Sequence, residues 1–182
     1  IFVDEALATR AYEDTALPIG NGQTISQPYI VARMTELIMM GAPRKVLEVG
    51  SGCGYQTAVL ARLVERVYGI ERIEPLYQKA RRHLRELSIH NVMLRLGDGY
   101  EGWNQHAPFD AILVAAAPPE IPEVPLKQLA DGGRMVLPVG KGEQQELVVI
   151  TRRGDVCEQE TVEIVSFVPM LKGMVGRSRV AG

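Results

Sequence analysis

With 182 residues, 46% hydrophobic and 23% charged, the chain has the size and composition of one soluble globular domain with a full core. Its 20 Lys and Arg against 22 Asp and Glu leave a net charge of -2 and no long basic block, so a nucleic-acid partner is not expected. No apolar run approaches the ~18 residues of a membrane span and no secretory signal is visible, which points to a cytoplasmic protein with no membrane partner, expected to be a monomer.

The chain begins at Ile1 rather than Met, and further residues upstream of it are expected. Residues 4–14 read as a short helix with Ala6, Leu7 and Ala11 on one side. Residues 17–34, LPIGNGQTISQPYIVARM, form a loop through Gly20 and Gly22 that runs into a second helix. Pro28 suits a first helical turn, so Ser26 or Gln27 stands close to the N-cap. Ile30, Met34, Leu37 and Ile38 fall at i, i+4, i+7 and i+8, a buried helical face. Ser26 carries two compatible readings. It is a simple cap, or its hydroxyl and the free N–H groups of a helix start hold an anion such as a carboxylate.

Gly41, Ala42 and Pro43 end that helix. Residues 46–61, VLEVGSGCGYQTAVLA, pass from an apolar β-branched run through Gly50, Gly52 and Gly54 into helix-favouring residues, the pattern of strand, tight turn and helix. Glycines at the turn admit positive φ and let a ligand lie directly on the main chain. A dinucleotide fold asks for G-x-G-x-x-G. Here the spacing is G-x-G-x-G, and Tyr55 stands where the last glycine belongs. Glu48, at the end of the strand, would repel a pyrophosphate but favour an ammonium group. Both features point away from a dinucleotide and toward S-adenosyl-L-methionine, which has a ribose, an adenine and a zwitterionic amino-acid tail but no phosphate. A helix at 55–63 and a second buried strand of Val67, Tyr68, Gly69 and Ile70 lead to Glu71. It lies roughly 20 residues past the loop, where an acid accepts hydrogen bonds from a ribose; the alternative is a solvated strand-end charge.

Residues 74–87 make a helix with Pro75 near its start and Lys79, Arg81, Arg82 and Arg85 on a solvated face. Residues 92–96 are a third strand, followed by Gly97, Asp98, Gly99 and Tyr100. Asp98 either accepts from an adenine amino group or closes an Asx-type turn. The fourth strand, residues 109–115, is almost wholly apolar and so buried on both faces. Ala117 then precedes Pro118 and Pro119, where enzymes that methylate exocyclic amines carry Asp, Asn or Ser, which argues against amine methylation. A helix at 125–129, a turn at Asp131, Gly132 and Gly133, a fifth strand at 134–139 and an antiparallel pair at 145–151 and 156–168 follow. Residues 174–182 read as a small, basic, frayed tail. His83, His90 and His106 are surface or core residues. Cys53 and Cys157 match no metal-ligand spacing and make no disulfide framework, so no metal is expected. The alternation predicts a single α/β domain over 1–182, with a doubly wound, mostly parallel sheet and an antiparallel edge. The ligand should lie over the C-terminal ends of the first strands.

Together these stretches resemble bacterial protein-L-isoaspartate O-methyltransferases. The likeness runs through FVDEAL, LPIGNGQTISQPYIVARMTEL, VLEVGSGCGYQTAVLA, YGIERI, NVMLRLGDGYEGW, APFDAILVAAAPPEIP, GGRMVLPVG and VSFVPMLKG, most of residues 2–173. The resemblance implies a Rossmann-like class I methyltransferase fold. It also implies transfer of a methyl group from S-adenosyl-L-methionine to the free α-carboxylate of L-isoaspartyl residues in damaged proteins and peptides. A carboxylate with a pKa of ~3.5 is ionised at neutral pH, so no base is needed. Ser26 is then the candidate catalytic residue that orients the carboxylate, with Thr24 and Gln27 supporting it and Val168 offering backbone groups across the cleft. The expected cofactor contacts are Glu48, Gly50, Ser51, Gly52, Gly54, Tyr55, Glu71, Asp98 and Gly99. Three alternatives stand beside this one: methylation of another carboxylate or small molecule, a dinucleotide-dependent oxidoreductase, and a non-catalytic nucleotide-binding module.

Overall fold

A computed structural model of the chain describes residues 1–176. At its centre is β3 (Lys45–Val49), whose KVLEV sequence is buried on both faces as a parallel central strand requires. It pairs in parallel with β4 (Arg66–Glu71) on one side and β6 (Phe109–Val114) on the other. β5 (Val92–Leu96) lies outside β4, and β7 (Leu129–Val139) lies outside β6. Two antiparallel strands, β8 (Gln145–Arg153) and β9 (Val156–Val165), continue the sheet beyond β7. The seven-strand order is β5-β4-β3-β6-β7-β8-β9. The chain therefore winds outward from β3 through β4 to β5, then crosses back to β6. That reversal beside the C-terminal end of β3 is the crevice where open α/β sheets bind ligands.

Alternation along β3 assigns its side chains to opposite layers. Val46 joins a core cluster with Met34, Leu37 and Ile38 of α1 (Pro28–Met39) and Leu60 of α2 (Tyr55–Ala61), whereas Leu47 and Val49 join Trp103, Phe109 and Ile112 on the other face. Each fully buried Leu or Ile in these layers contributes about 1.5–3 kcal/mol. Glu48 shares the face of Val46, and so lies under the α1 and α2 layer. Among the described residues no helix is long and apolar enough to cross a membrane.

The expected strands are present, with the last ending at Val165 instead of Val168, and the helices expected at 55–63 and 74–87 end one or two residues earlier, as α2 and α3 (Glu74–Glu86). Four local expectations are corrected. Residues 4–14 form only a 3-10 turn, Glu5–Arg10, with no buried residue to anchor a longer helix. The loop before Ser26 is a hairpin, β1 (Leu17–Gly20) and β2 (Gln23–Ile25), turned at Gly20, Asn21 and Gly22, all at positive φ. The turn at 131–133 is a bulge inside β7: Leu129 faces Phe109 and Arg134 faces Ala111, so the residues between are extra, and Gly132 takes φ +75°. The nearby helix, α4 (Glu123–Lys127), begins and ends two residues earlier than expected. Of the tail expected to be frayed, residues 177–182 lie outside the described residues. Val175 within it is held: its N–H donates to Arg72 C=O at 2.8 Å and its C=O accepts from Glu74 N–H at 3.0 Å. The main chain that leaves β4 offers these groups, and the tail satisfies them.

Candidate functional site

The glycine loop leaves β3 and turns over the end of β4, where Gly50 N–H and Ser51 N–H both donate to Ile70 C=O at 2.8 and 3.2 Å. Gly50, Gly52 and Gly54 take φ values of +86°, +52° and +90°, in the region where a side chain is strained. Gly52 also has Ile19 of the hairpin against it, with the Ile19 Cδ1 only 3.3 Å from where a Cβ would stand. The hairpin thus packs directly on the loop. Gly54 is the N-cap of α2, and Tyr55 is its first residue.

Glu71 ends β4 and fastens the loop. Its Oε2 accepts from Gly52 N–H at 2.7 Å and its Oε1 from Ile73 N–H at 2.9 Å. Burial pushes its carboxyl above the ordinary range, against the pull of those backbone donors. It is therefore no solvated strand-end charge. Asp98 likewise has both oxygens engaged: Oδ1 accepts from Tyr100 N–H at 2.8 Å and Oδ2 from Gly173 N–H at 2.7 Å. The Asx-type turn is real, and the same carboxylate also anchors the terminal segment. Gly99 follows beneath it, so close to Val49 that a Cβ would stand 2.3 Å from the Val49 Cγ1.

Glu48 is buried within the fold. It is 0% exposed, lies under α2, and accepts a hydrogen bond from Thr57 Oγ1 at 2.5 Å through Oε2, while Oε1 has no partner. Burial, with the Glu71 charge adding to it, pushes its carboxyl up to about 8 despite the Thr57 bond. At neutral pH it is a mostly neutral acid that supports the loop from beneath, not a charge at the cleft mouth. Ser51 Oγ is also buried without a partner, and it lies over Gly69, where a Cβ would come within 2.5 Å of it.

Ser26 stands just ahead of α1 and does not cap it. Gln27 is the N-cap, no side chain of the cap residue bonds to the helix, and Asp14 caps it from outside instead. Asp14 Oδ1 accepts from Tyr29 N–H at 2.9 Å and Oδ2 from Gln27 Nε2 at 3.0 Å. The Asp14 carboxylate therefore competes with any second anion for the amides at this helix start. The half-buried Ser26 hydroxyl is left as a free hydrogen-bonding group.

Ser26 lines a cleft of about 370 Å³ together with Thr24, Gln27, Ala115, Phe167 and Val168. All four residues expected at the acceptor are thereby brought together. A smaller cavity of about 40 Å³ joins Thr24 and Ser26 to Gly50, Ser51, Gly52 and Tyr55, again across Ala115. The cleft and the glycine loop meet at Thr24, Ser26 and Ala115. Val168 C=O is occupied by Ala117 N–H at 2.8 Å, so its N–H is the group it can offer. Its placement depends on Gln145, a buried residue whose Oε1 accepts from Phe167 N–H at 2.8 Å and whose Nε2 donates to Phe167 C=O at 3.3 Å. The sequence carried no signal for Gln145 or Asp14, because their partners lie 22 and 15 residues away in the chain. His83 is buried and donates from Nδ1 to Cys53 C=O, and His106 stacks on Tyr68; both are structural.

Comparison with known proteins decides the family. The model of the protein-L-isoaspartate (D-aspartate) O-methyltransferase family matches residues 1–175. The chain belongs to this family. Among its relatives, the protein-L-isoaspartate O-methyltransferase of Halorhodospira halophila is 62% identical over 176 residues, 96% of this chain and 80% of the relative. That of Hahella chejuensis is 60% identical over 176 residues, 96% and 83% of the two chains. A crystal structure assigned to the same family, from Plasmodium falciparum in complex with S-adenosyl-L-homocysteine, superposes with a TM-score of 0.83 at 26% identity, over 94% of this chain and 85% of that one.

Proposed function

We propose that this chain transfers the methyl group of S-adenosyl-L-methionine to the free α-carboxylate of L-isoaspartyl residues in damaged proteins and peptides. The observation that carries the assignment is the meeting of the two cavities at Ser26, a free hydroxyl between the glycine loop and the open cleft. The residues present fit the donor. The positive-φ glycines and the unpartnered Ser51 hydroxyl suit its amino-acid end, and Tyr55, the first residue of α2, lines the same small cavity. A carboxylate has about four lone-pair sites, so Glu71 keeps acceptor capacity for ribose hydroxyls and Asp98 for an adenine amine beside Gly99. Glu48 acts through the loop above it.

When bound, the sulfonium of the donor supplies an electrophilic methyl: a carboxylate oxygen bonds to the carbon, the C–S bond breaks, and its electron pair stays on sulfur. No proton moves, which agrees with a cleft whose lining residues include no His, Asp or Glu. The task left to the chain is positioning, which can supply roughly 7–11 kcal/mol of the barrier. Ser26 holds the carboxylate through one oxygen, Thr24 and Gln27 flank it, and Val168 N–H receives the peptide main chain. The resulting methyl ester loses methanol to a succinimide, whose hydrolysis partly restores aspartate. Incubation with methyl-labelled S-adenosyl-L-methionine and paired peptides tests the assignment. Base-labile label on the isoaspartyl peptide alone supports it, and equal or absent labelling of the isoaspartyl and aspartyl peptides contradicts it.

A further inference from the structure

We propose that the Gln56 to Thr35 hydrogen bond is a strut that positions the acceptor against the methyl donor, and that Gln56 and Thr35 are positioning residues for the transfer. The proposal rests on the assignment of Ser26 to the acceptor carboxylate. Ser26 lies just ahead of α1, and the glycine loop runs straight into α2. The relative placement of these two helices therefore sets the gap that the methyl group crosses.

Gln56 is the second residue of α2, and Thr35 lies two turns along α1. Gln56 Nε2 donates to Thr35 Oγ1 at 2.8 Å, and the same hydroxyl donates to Val31 C=O at 2.7 Å. The Thr35 proton is thus committed to its own helix, and its lone pair to the other. Among the described residues this is the only side-chain hydrogen bond between α1 and α2. Both residues are buried, Thr35 at 6% and Gln56 at 9% exposure, beside a cluster that includes Met34, Ile38 and Leu60. Apolar side chains of the same shape would fill this place at no polar cost, so filling the core does not explain the pair.

Two further observations connect the strut to the site. Gln56 lines the small cavity together with Thr24, Ser26, Gly50 and Ser51. And α2, only seven residues long, is too short to be stable by itself, so its orientation comes from what it is tied to. Thr57 ties it to Glu48 of β3, and Gln56 ties it to α1. The first bond sets the loop on the sheet; the second sets it against Ser26.

Methyl transfer requires reacting atoms about 3–3.5 Å apart and in line, and a ~1 Å misplacement costs about 100-fold in rate. Loss of the strut should therefore lower kcat while the separate contacts to each ligand survive. The test compares Thr35→Val, Gln56→Leu, the double variant and the conservative Thr35→Ser. For each, kcat and KM with an isoaspartyl peptide are measured, with S-adenosyl-L-homocysteine affinity by calorimetry and Tm by thermal unfolding. Thr35→Val and Gln56→Leu are each expected to lower kcat about tenfold or more with little change in cofactor affinity. The double variant, in which no buried donor is left unpaired, is expected to be no slower than the worse single variant, and Thr35→Ser is expected to recover most of the wild-type kcat. Unchanged kcat in folded Thr35→Val and Gln56→Leu, with only Tm lowered, overturns the strut and leaves the acceptor assignment standing. A wild-type chain that labels no isoaspartyl peptide overturns both.

Discussion

Replacing Glu48 with Gln should remove a large part of the pH dependence of stability. In the fold this carboxyl is fully buried and is pushed up to about 8, chiefly by burial, from an ordinary value of 4.5. Between those two values the folded chain keeps a proton that the unfolded chain has lost. Stability is therefore greatest below about 4.5, falls as pH rises through the window, and levels off above about 8. Over the whole window the effect is on the order of several kcal/mol. Gln has the same shape, stays neutral and still accepts from Thr57, although its amide places a donor where Oε1 has no partner. That offset is the same at every pH, so the signature is the slope. Glu71 is present in both proteins, and its own raised value largely cancels in the comparison. Urea unfolding of the two proteins at intervals from pH ~4.5 to ~9 reads the difference directly. The difference should shift toward the Gln variant through the window and be flat outside it. A difference that stays constant across the window would mean that Glu48 is ionised in the folded protein, and the argument from burial would fail.

Ser26→Ala should lower kcat on isoaspartyl peptides by about 10- to 100-fold, with cofactor affinity unchanged and stability within about 0.5 kcal/mol, because Ser26 caps nothing; a lower melting temperature with intact turnover would return it to a purely structural role. Asp14→Ala removes the remote cap on Tyr29 N–H and should cost about 1 kcal/mol in urea unfolding. No loss there would show that water serves α1 equally well. Gly69→Ala places a Cβ 2.5 Å from both Leu94 Cδ2 and Ser51 Oγ. It should destabilise by about 1–3 kcal/mol and weaken cofactor binding, measured by calorimetry, more than it raises KM for the peptide. Equal effects on the two ligands would detach Ser51 from the donor.

What was legible in the sequence was what local patterns encode. The apolar runs at β3, β4 and β6, the glycine turn, and the acids at the ends of β4 and β5 gave the sheet and the crevice, because period and turn chemistry act over a few residues. Ser26 could be placed near a helix start for the same reason. Whether it capped that helix could not be read, since the cap comes from Asp14 across the hairpin. The burial of Glu48 is not legible from its neighbours, which place it at a strand end, because it is decided by α2 folding back over it. The bulge at Asp131 to Gly133 carries the same residues as a free turn, and only pairing of both flanks with β6 tells the two apart. Gln145, Thr35 and Gln56 gave no signal, since a buried Gln or Thr is recognised by its partner and the partners lie on other elements.

The most direct measurement uses three peptides of one sequence: with isoaspartate, with aspartate, and with isoaspartate whose α-carboxylate is blocked as the amide. Each is incubated with the chain and methyl-labelled S-adenosyl-L-methionine, and ester is counted as base-labile label. Only the free isoaspartyl peptide should be labelled, and Ser26→Ala should suppress that labelling. Label on the aspartyl peptide, or on the blocked one, would contradict the α-carboxylate as acceptor at the cleft beside Ser26.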